Sequence, residues 1–371
     1  MDLSDSQSQP SQRLVSLDVL RGFDMFWIIG MEEIGAALGK ATSAPWAQFM
    51  AHQLDHASWA GFRFLDLIFP LFVFISGVSA VFSCEKSLTT QTRSVVAWKL
   101  FKRALILYAL GLFCYGFFSK GMDSVRWVGV LQRLAICGLA GGLSYLFMGW
   151  KARGLLVAAL LLGYWALMSR VPVPGIGAGD LAEGRNLANW IDSQYLPGRK
   201  WNGNHDPEGL LSTLPAIATA LLGILTGEWL RKSSQGVWQK AGGLALAGVL
   251  LVALGWAWSA QFPVIKKLWT SSYVLVAGGY SLLLLSTFLV LVDGLKWRRG
   301  FMPFLWIGMN PITLYLSHHV IDYEKVVTTL LGGPFGSLFG VWQPVLFASG
   351  SLVLSLILAW FLYSRKVFIR I

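Results

Sequence analysis

About ten runs of apolar residues, each long enough to cross a bilayer, follow one another along this chain. They lie at roughly 16–38, 59–83, 97–118, 127–149, 154–171, 209–230, 241–260, 269–293, 301–321 and 340–363. A bilayer core takes about 20 residues of helix. Continuous runs of this kind exclude the alternating strands, about 10 residues each, of an outer-membrane barrel. The sequence therefore predicts an all-α polytopic integral membrane protein, a bundle of about ten transmembrane helices in a lipid bilayer. Only 13% of the 371 residues are charged, about half the usual share in soluble domains. That excludes an ordinary cytosolic enzyme, a disordered chain and a disulfide scaffold.

The net charge of +11 would suggest nucleic acid in a soluble protein. Here the basic residues cluster between apolar runs, as they do in cytoplasmic loops, and no nucleic-acid partner is expected. An N-in, C-in arrangement puts 17 Lys and Arg on the cytoplasmic side, against Lys40, Lys120, Arg126, Lys266, Lys267 and Lys325 in the short segments opposite. Residues 1–13 are Ser- and Gln-rich and read as a disordered cytoplasmic tail. Residues 14–371 read as a single transmembrane domain. Its one sizeable extramembrane segment, 172–208, is expected on the outer face as a folded cap or substrate rim, given its Gly, Pro, Asn and Trp content. The first apolar run carries Asp18, Arg21, Asp24, Glu32 and Glu33, too many charges for a cleavable signal. Cys84, Cys114 and Cys137 fall in apolar stretches without metal-ligand spacing, so no metal is expected. No fixed-period repeat or pair of broken helices favours a secondary transporter.

An ionisable side chain inside a bilayer costs about 3 kcal/mol or more, so each is a functional hint. Asp18, Arg21 and Asp24 share one face near the cytoplasmic end of the first helix. They form either an internal ion pair or a place where Arg21 meets an anionic ligand. Glu32 and Glu33 lie two turns further out, and at most one can face the bundle interior. His56 stands just outside the second run, where Arg63 and Asp66 are spaced to pair. Arg133, beside Gln132, needs a carboxylate at its depth, and Asp66 is the candidate. The ninth run brings Asn310 at its middle and His318 and His319 at its outer end. By depth, His56, Glu32, Asp66, Arg133 and one terminal histidine can converge on one outer-leaflet site.

The segments RLVSLDVLRGFDMF, HASWAGFRFLDLIFPLFVFISGVS, VGVLQRLAI, NHDPEGLLSTLPAIATALLGILTGEWL, KKLWTSSYVL and IGMNPITLYLSHHV occur in this order. Together they resemble the transmembrane domain of the heparan-α-glucosaminide N-acetyltransferase family, from about Arg13 to the C-terminus. The resemblance implies transfer of acetyl from cytosolic acetyl-CoA to the amine of a terminal glucosamine across the membrane, with the essential histidine at His56. It makes acetyl-CoA the co-substrate and an amino sugar or glycan the acceptor. This chain has Ala60 where the family segment has Asn, and Glu32 where the family's first helix ends in Asn. The lysosomal enzyme's N-terminal luminal region has no counterpart here, which suits a bacterial inner-membrane protein. Homodimerisation is left open.

Acetyl-CoA is a polyanion that does not cross lipid, while the acceptor is outside. The expected solution holds the nucleotide at the cytoplasmic face, with Arg21, Arg103 and Arg298 among the phosphate-binding candidates. His56 then serves as general base or as a transient acyl carrier. Asp66 or Glu32 would hold the imidazole. Arg133, Asn310 and His318 are the substrate-side candidates, Asn310 or Arg133 near the developing oxyanion. Two other readings stay open: an O-acyltransferase acting on polysaccharide hydroxyls, and a transporter of a sugar or lipid-linked sugar. The second predicts accumulation of substrate without consumption of acetyl-CoA.

Overall fold

The computed structural model describes residues 14–232 and 234–369, and the expected tail, 1–13, lies outside them. Helix α1 (Val15–Phe26) continues through a π turn at Trp27–Met31 into α2 (Glu32–Ala41), followed by α3 (Pro45–Gln53), α4 (Ile68–Leu88), α5 (Arg93–Cys114) and a single turn, α6 (Phe117–Lys120). Next come α7 (Val130–Phe147), α8 (Trp150–Arg170), α9 (Leu187–Tyr195), α10 (Thr213–Lys232), α11 (Val237–Trp258) and α12 (Ser271–Phe288). The chain ends in α13 (Met302–Met309), α14 (Pro311–Val320), α15 (Tyr323–Leu331), α16 (Gly333–Ser337) and α17 (Gln343–Ser364). Among the described residues, seven helices are long and apolar enough to span a membrane. The protein is thus an all-α polytopic membrane protein.

Of the apolar stretch that includes α4, 78% is buried, against 17% of that in α17, which makes α4 the central post and puts α17 at the lipid-facing rim. Tight glycine crossings draw the inner helices together, as expected where no hydrophobic effect drives helices to associate. A Cβ at Gly77 of α4 would lie 2.2 Å from the Ala220 carbonyl oxygen of α10, and one at Gly223 of α10 2.1 Å from that of Phe74.

Two expected spans are not single rods. The first leaves helical geometry at Gly30. The ninth breaks at Asn310 (φ −136°, ψ 47°), because Pro311 disfavours a helical residue before it and supplies no N–H. Helix α13 lies antiparallel to α1, with Phe304 against Gly22 and Gly308 against Asp18. Beyond the break, Ile312 and Tyr315 of α14 line a void with Met25 and Ile28, so the chain has turned back along α1. The second span also starts later than expected: residues 59–63 are loop, and a short 3₁₀ turn, Phe64–Leu67, leads into α4.

Opposite ends of the bundle carry different chemistry. The start of α4, the 172–208 loop and the turn between α11 and α12 meet at one end, the capped end, where Trp59 Nε1 donates to the Leu181 carbonyl (3.0 Å) and Gly61 N–H to that of Val264 (2.9 Å). At the other, the basic end, Ser16 N–H donates to Asp293 (3.3 Å) and Arg231 bonds Glu85.

Candidate active site

His56 sits in a pinned loop at the capped end rather than on a helix. Its own N–H donates to Asp55 (2.8 Å), and the Asp55 carboxylate also takes the Arg63 guanidinium (2.7 Å). The Phe64 N–H donates to the Gln53 side chain (3.1 Å). On the far side an isolated antiparallel bridge pairs Ala60 with Ile265. Gly61 there has φ +126°, a value open to glycine at little cost. The loop is therefore fixed at both ends, and His56 is fixed with it.

The imidazole Nδ1 lies 3.0 Å from Asp66 Oδ1. Asp66 is fully buried, and its other oxygen accepts the N–H groups of Ala57 (3.2 Å) and Arg63 (3.0 Å). A carboxylate accepts only, so it selects the tautomer with hydrogen on Nδ1. That leaves the Nε2 lone pair directed away from Asp66. Tyr273 locks the backbone beneath, its hydroxyl donating to the Asp66 carbonyl (2.7 Å).

A third member escaped the sequence reading. Lys266 Nζ lies 2.9 Å from His56 Nδ1, 3.2 Å from Nε2 and 3.5 Å from Asp66 Oδ1. Burial pulls its ammonium below the usual lysine range, and the nearby Asp66 and Glu208 carboxylates counter this only in part. The available signal was its place in KKLWTSSYVL, distant in sequence but bridged to the histidine loop through Ile265. Glu208, also unremarked in the sequence, bonds Arg126, which holds Asp206 as well (2.6 Å) and takes the Tyr115 hydroxyl as an acceptor (3.0 Å). Burial alone would raise the Asp206 carboxyl, but Arg126 carries it below its ordinary value.

The remaining expected residues are distributed unequally. Glu32 is exposed and lines a cleft of about 430 Å³ together with His52, Asp55 and Arg63. Its charge is felt at Lys266. The expected pairing of Arg63 with Asp66 is corrected: the guanidinium goes to Asp55, and only the Arg63 backbone reaches Asp66. Arg133 does not pair with Asp66 either. It lies behind the site, 4.9 Å over the Trp269 ring and bonded to Ser212 Oγ (2.5 Å) and the Gly209 carbonyl (3.2 Å). Trp269 faces it from a left-handed turn (φ 52°). Asn310 is corrected most: at the break between α13 and α14 it donates to the Val367 carbonyl (2.9 Å) and accepts from Ile369 N–H (2.9 Å). It therefore ties down the C-terminal segment. His318 turns toward α17, its Nε2 2.8 Å from Ser355 Oγ, and stacks near Tyr323.

At the basic end, Arg21 bonds Asp18 (3.1 Å), Ser79 (2.6 Å) and the Gly308 carbonyl (3.4 Å). Arg103 of α5 is close enough for the two like charges to repel, and Arg298 is exposed in the turn before α13. Arg21 and Glu32 are eleven positions apart across α1 and the π turn, at most about 16 Å at helical rise. Between them a narrow apolar void of about 10 Å³ opens where α1, α4, α7 and α14 meet, lined by Met25, Ile28, Phe72 and Tyr315 among others. Among the described residues, no three His, Cys, Asp or Glu side chains gather as metal ligands.

Residues 13–257 match the family model described as heparan-alpha-glucosaminide N-acetyltransferase, catalytic. The heparan-alpha-glucosaminide N-acetyltransferase of Mus musculus is 26% identical over 85% of this chain and 55% of its own length. The protein of that name from Homo sapiens is 28% identical over 72% of this chain and 49% of its own. The chain thus spans about half the length of these relatives. His56, Asp66 and Arg133 fall inside the matched region, whereas Lys266, Asn310 and His318 lie beyond it.

Proposed function

The chain belongs to the heparan-α-glucosaminide N-acetyltransferase family, and from that premise we propose that it is a transmembrane acetyltransferase. In this reading it takes acetyl from acetyl-CoA on the cytoplasmic side and delivers it to the amine of a glucosamine-type sugar on the outer side. The membrane is the bacterial inner membrane, with residues 14–371 one catalytic domain. The capped end faces the periplasm and the basic end the cytoplasm.

The observation that carries this reading is the His56–Asp66 pair at the mouth of α4, beside an open polar cleft. A buried carboxylate on Nδ1 orients the ring and leaves Nε2 to remove a proton from the acceptor amine, as a general base. The same lone pair can instead accept the acetyl group and pass it on. In the cleft Asp55 is paired with Arg63 and Lys40 also stands there, so Glu32 is the carboxylate that suits an ammonium before it loses its proton. Arg133, behind Trp269, supports the floor of the site. Asn310 and His318, with partners elsewhere, act through helix packing. At the basic end Arg21 and Arg103, with Arg298 exposed in the turn before α13, suit the phosphates of the donor. In this reading the thioester arm runs along α1 past Met25 and Ile28, where the void of about 10 Å³ has room for about one water, so the helices must part to admit it.

The decisive test is His56→Ala. The variant should insert and purify normally, while transfer of labelled acetyl from acetyl-CoA to glucosamine falls by about a hundredfold or more, the usual worth of a positioned base. Transfer near the wild-type rate would refute the assignment.

A further inference from the structure

We infer that Lys266 is an acetylation site of this catalytic centre, an internal amine acceptor that competes with the sugar. The inference rests on the acetyl-transfer reading above. Its Nζ spans both ring nitrogens of His56, at 2.9 and 3.2 Å, and lies 3.5 Å from Asp66. An acceptor amine would have to stand in this same place, within hydrogen-bond reach of the base. With Nδ1 donating to Asp66, Nε2 is the atom that must take the proton; Nζ, nearly equidistant from the two nitrogens, lies against the ring and reaches the Nε2 lone pair by a small turn of its side chain.

Local structure holds the amine there. Ile265 is bridged to Ala60, and its N–H donates to Thr270 Oγ1 (3.1 Å). The Lys266 carbonyl accepts from Trp269 N–H (2.9 Å). The Lys266 side chain is 20% exposed, and its burial favours the neutral, nucleophilic amine. Around it stand Asp66 on the loop before α4, Glu208 before α10 and Glu32 on α2, all felt electrostatically at Nζ. The adjacent Lys267 has a different fate: it bonds Glu183 (2.9 Å) and lies 5.7 Å over the Trp59 ring.

The step balances without a further reactant. The Lys266 ammonium first gives one proton to solvent. The neutral Nζ attacks the thioester carbonyl carbon of acetyl-CoA, His56 Nε2 takes a second proton, the carbon–sulfur bond breaks and the departing thiolate receives that proton from His56. The products are N-acetyl-lysine, free CoA thiol and one released proton.

The experiment incubates the purified full chain with carbon-13-labelled acetyl-CoA, with and without glucosamine, and locates the added acetyl by tandem mass spectrometry. Without sugar, Lys266 should label about a hundredfold faster than Lys267, the usual worth of a positioned base. Glucosamine should suppress this labelling, and His56→Ala should abolish it. Labelling of both lysines at one rate, or unchanged labelling in His56→Ala, would mean plain chemical acetylation and overturn the inference. Transfer to glucosamine with Lys266 left bare would overturn it while leaving the proposed function intact. Histidine-dependent labelling of Lys266 without any transfer to glucosamine would uphold it and remove the sugar as acceptor. Absence of both reactions would defeat both.

Discussion

The two ends of the bundle handle charge in opposite ways. At the capped end opposite charges interlock: Asp66 serves His56, two backbone N–H groups and the neighbourhood of Lys266, while Arg126 is shared between Asp206 and Glu208. These groups come from loops that fold over the helix ends. At the basic end Arg153, Arg231 and Arg21 find Glu228, Glu85 and Asp18, yet Arg21 also stands near enough to Arg103 for the two to repel. Like charges brought together on helices are costly in a membrane protein. The arrangement is compensated when an anion bridges them. A balanced network suits proton chemistry on a neutral imidazole, and a cationic pair suits a polyanionic donor.

The largest expected effect breaks the capped end. Asp66→Asn replaces two carboxylate oxygens, serving three donors, with one amide oxygen and an NH₂ group. Either the imidazole or a backbone N–H then loses its acceptor. Acetyl transfer to glucosamine should fall by about a hundredfold or more, with helix content unchanged by circular dichroism. A variant within about threefold of wild type would show that Asp66 only shapes the loop, since positioning a base is worth far more.

Next in size is a change that separates scaffold from site. A Cβ at Gly22 would lie 1.6 Å from the Phe304 carbonyl oxygen, whereas one at Gly138 of α7 meets nothing within 4 Å. Gly22→Ala should therefore destabilise the protein by about 1–3 kcal/mol, and Gly138→Ala should not. Thermal unfolding followed by tryptophan fluorescence in detergent reads the contrast. Since Arg21 donates to Gly308 on the same crossing, loss of packing there should also disturb the basic end before the capped end. Equal melting of the two variants would mean that α13 moves aside freely.

Much of the scaffold was legible because hydrophobic length is a strong signal. Helices occupy all ten expected runs, and the cores of α7, α8, α10 and α11 lie within a few residues of their predicted limits. The ninth run misled because its apolar composition is continuous across Asn310–Pro311, and hydropathy does not register a reversal of direction. The dipeptide itself carried that information. Within the site, His56 and Asp66 are ten residues apart and visible from their segment, but spacing gave Arg63 the wrong carboxylate and depth gave Arg133 one that it does not touch. Depth ignores azimuth, and Asp55, one residue outside the considered set, captured Arg63. Lys266 was invisible for another reason: its contact with His56 crosses 210 positions through a single bridge between two loops.

A smaller effect tests whether the cap above the site responds to pH. Burial raises the Asp192 carboxyl to about 6, while its oxygens accept the N–H groups of Asp206 (3.2 Å) and Leu210 (2.9 Å). A raised acid binds its proton more tightly in the folded cap. Its contribution is complete below the unfolded value near 3.9 and is lost as pH rises through about 6. His205 has the opposite sign, because burial lowers it, so a simple pH scan mixes the two. The difference between wild type and Asp192→Asn isolates the carboxyl. Measured as local opening by hydrogen exchange at the Leu210 amide, corrected for intrinsic rates, the penalty of the substitution should shrink by about 1–2 kcal/mol between pH 4 and 7. A penalty constant across that range would mean that Asp192 is ionised throughout.

The smallest effect sharpens the comparison most, because it asks for a change in one substrate alone. Arg103→Ala removes one of the two neighbouring cations at the basic end, far along the bundle from His56. A single charge-assisted contact to phosphate is worth about 1.5–3 kcal/mol when well formed, and the exposure of Arg103 argues for the lower limit. The KM for acetyl-CoA should rise about tenfold, equivalent to about 1.4 kcal/mol, while the KM for glucosamine and the rate at saturating donor stay near wild type. Added salt should narrow the difference, since screening weakens an exposed ion contact. If glucosamine affinity falls instead, the donor does not enter at the basic end, and the two ends have been given the wrong substrates.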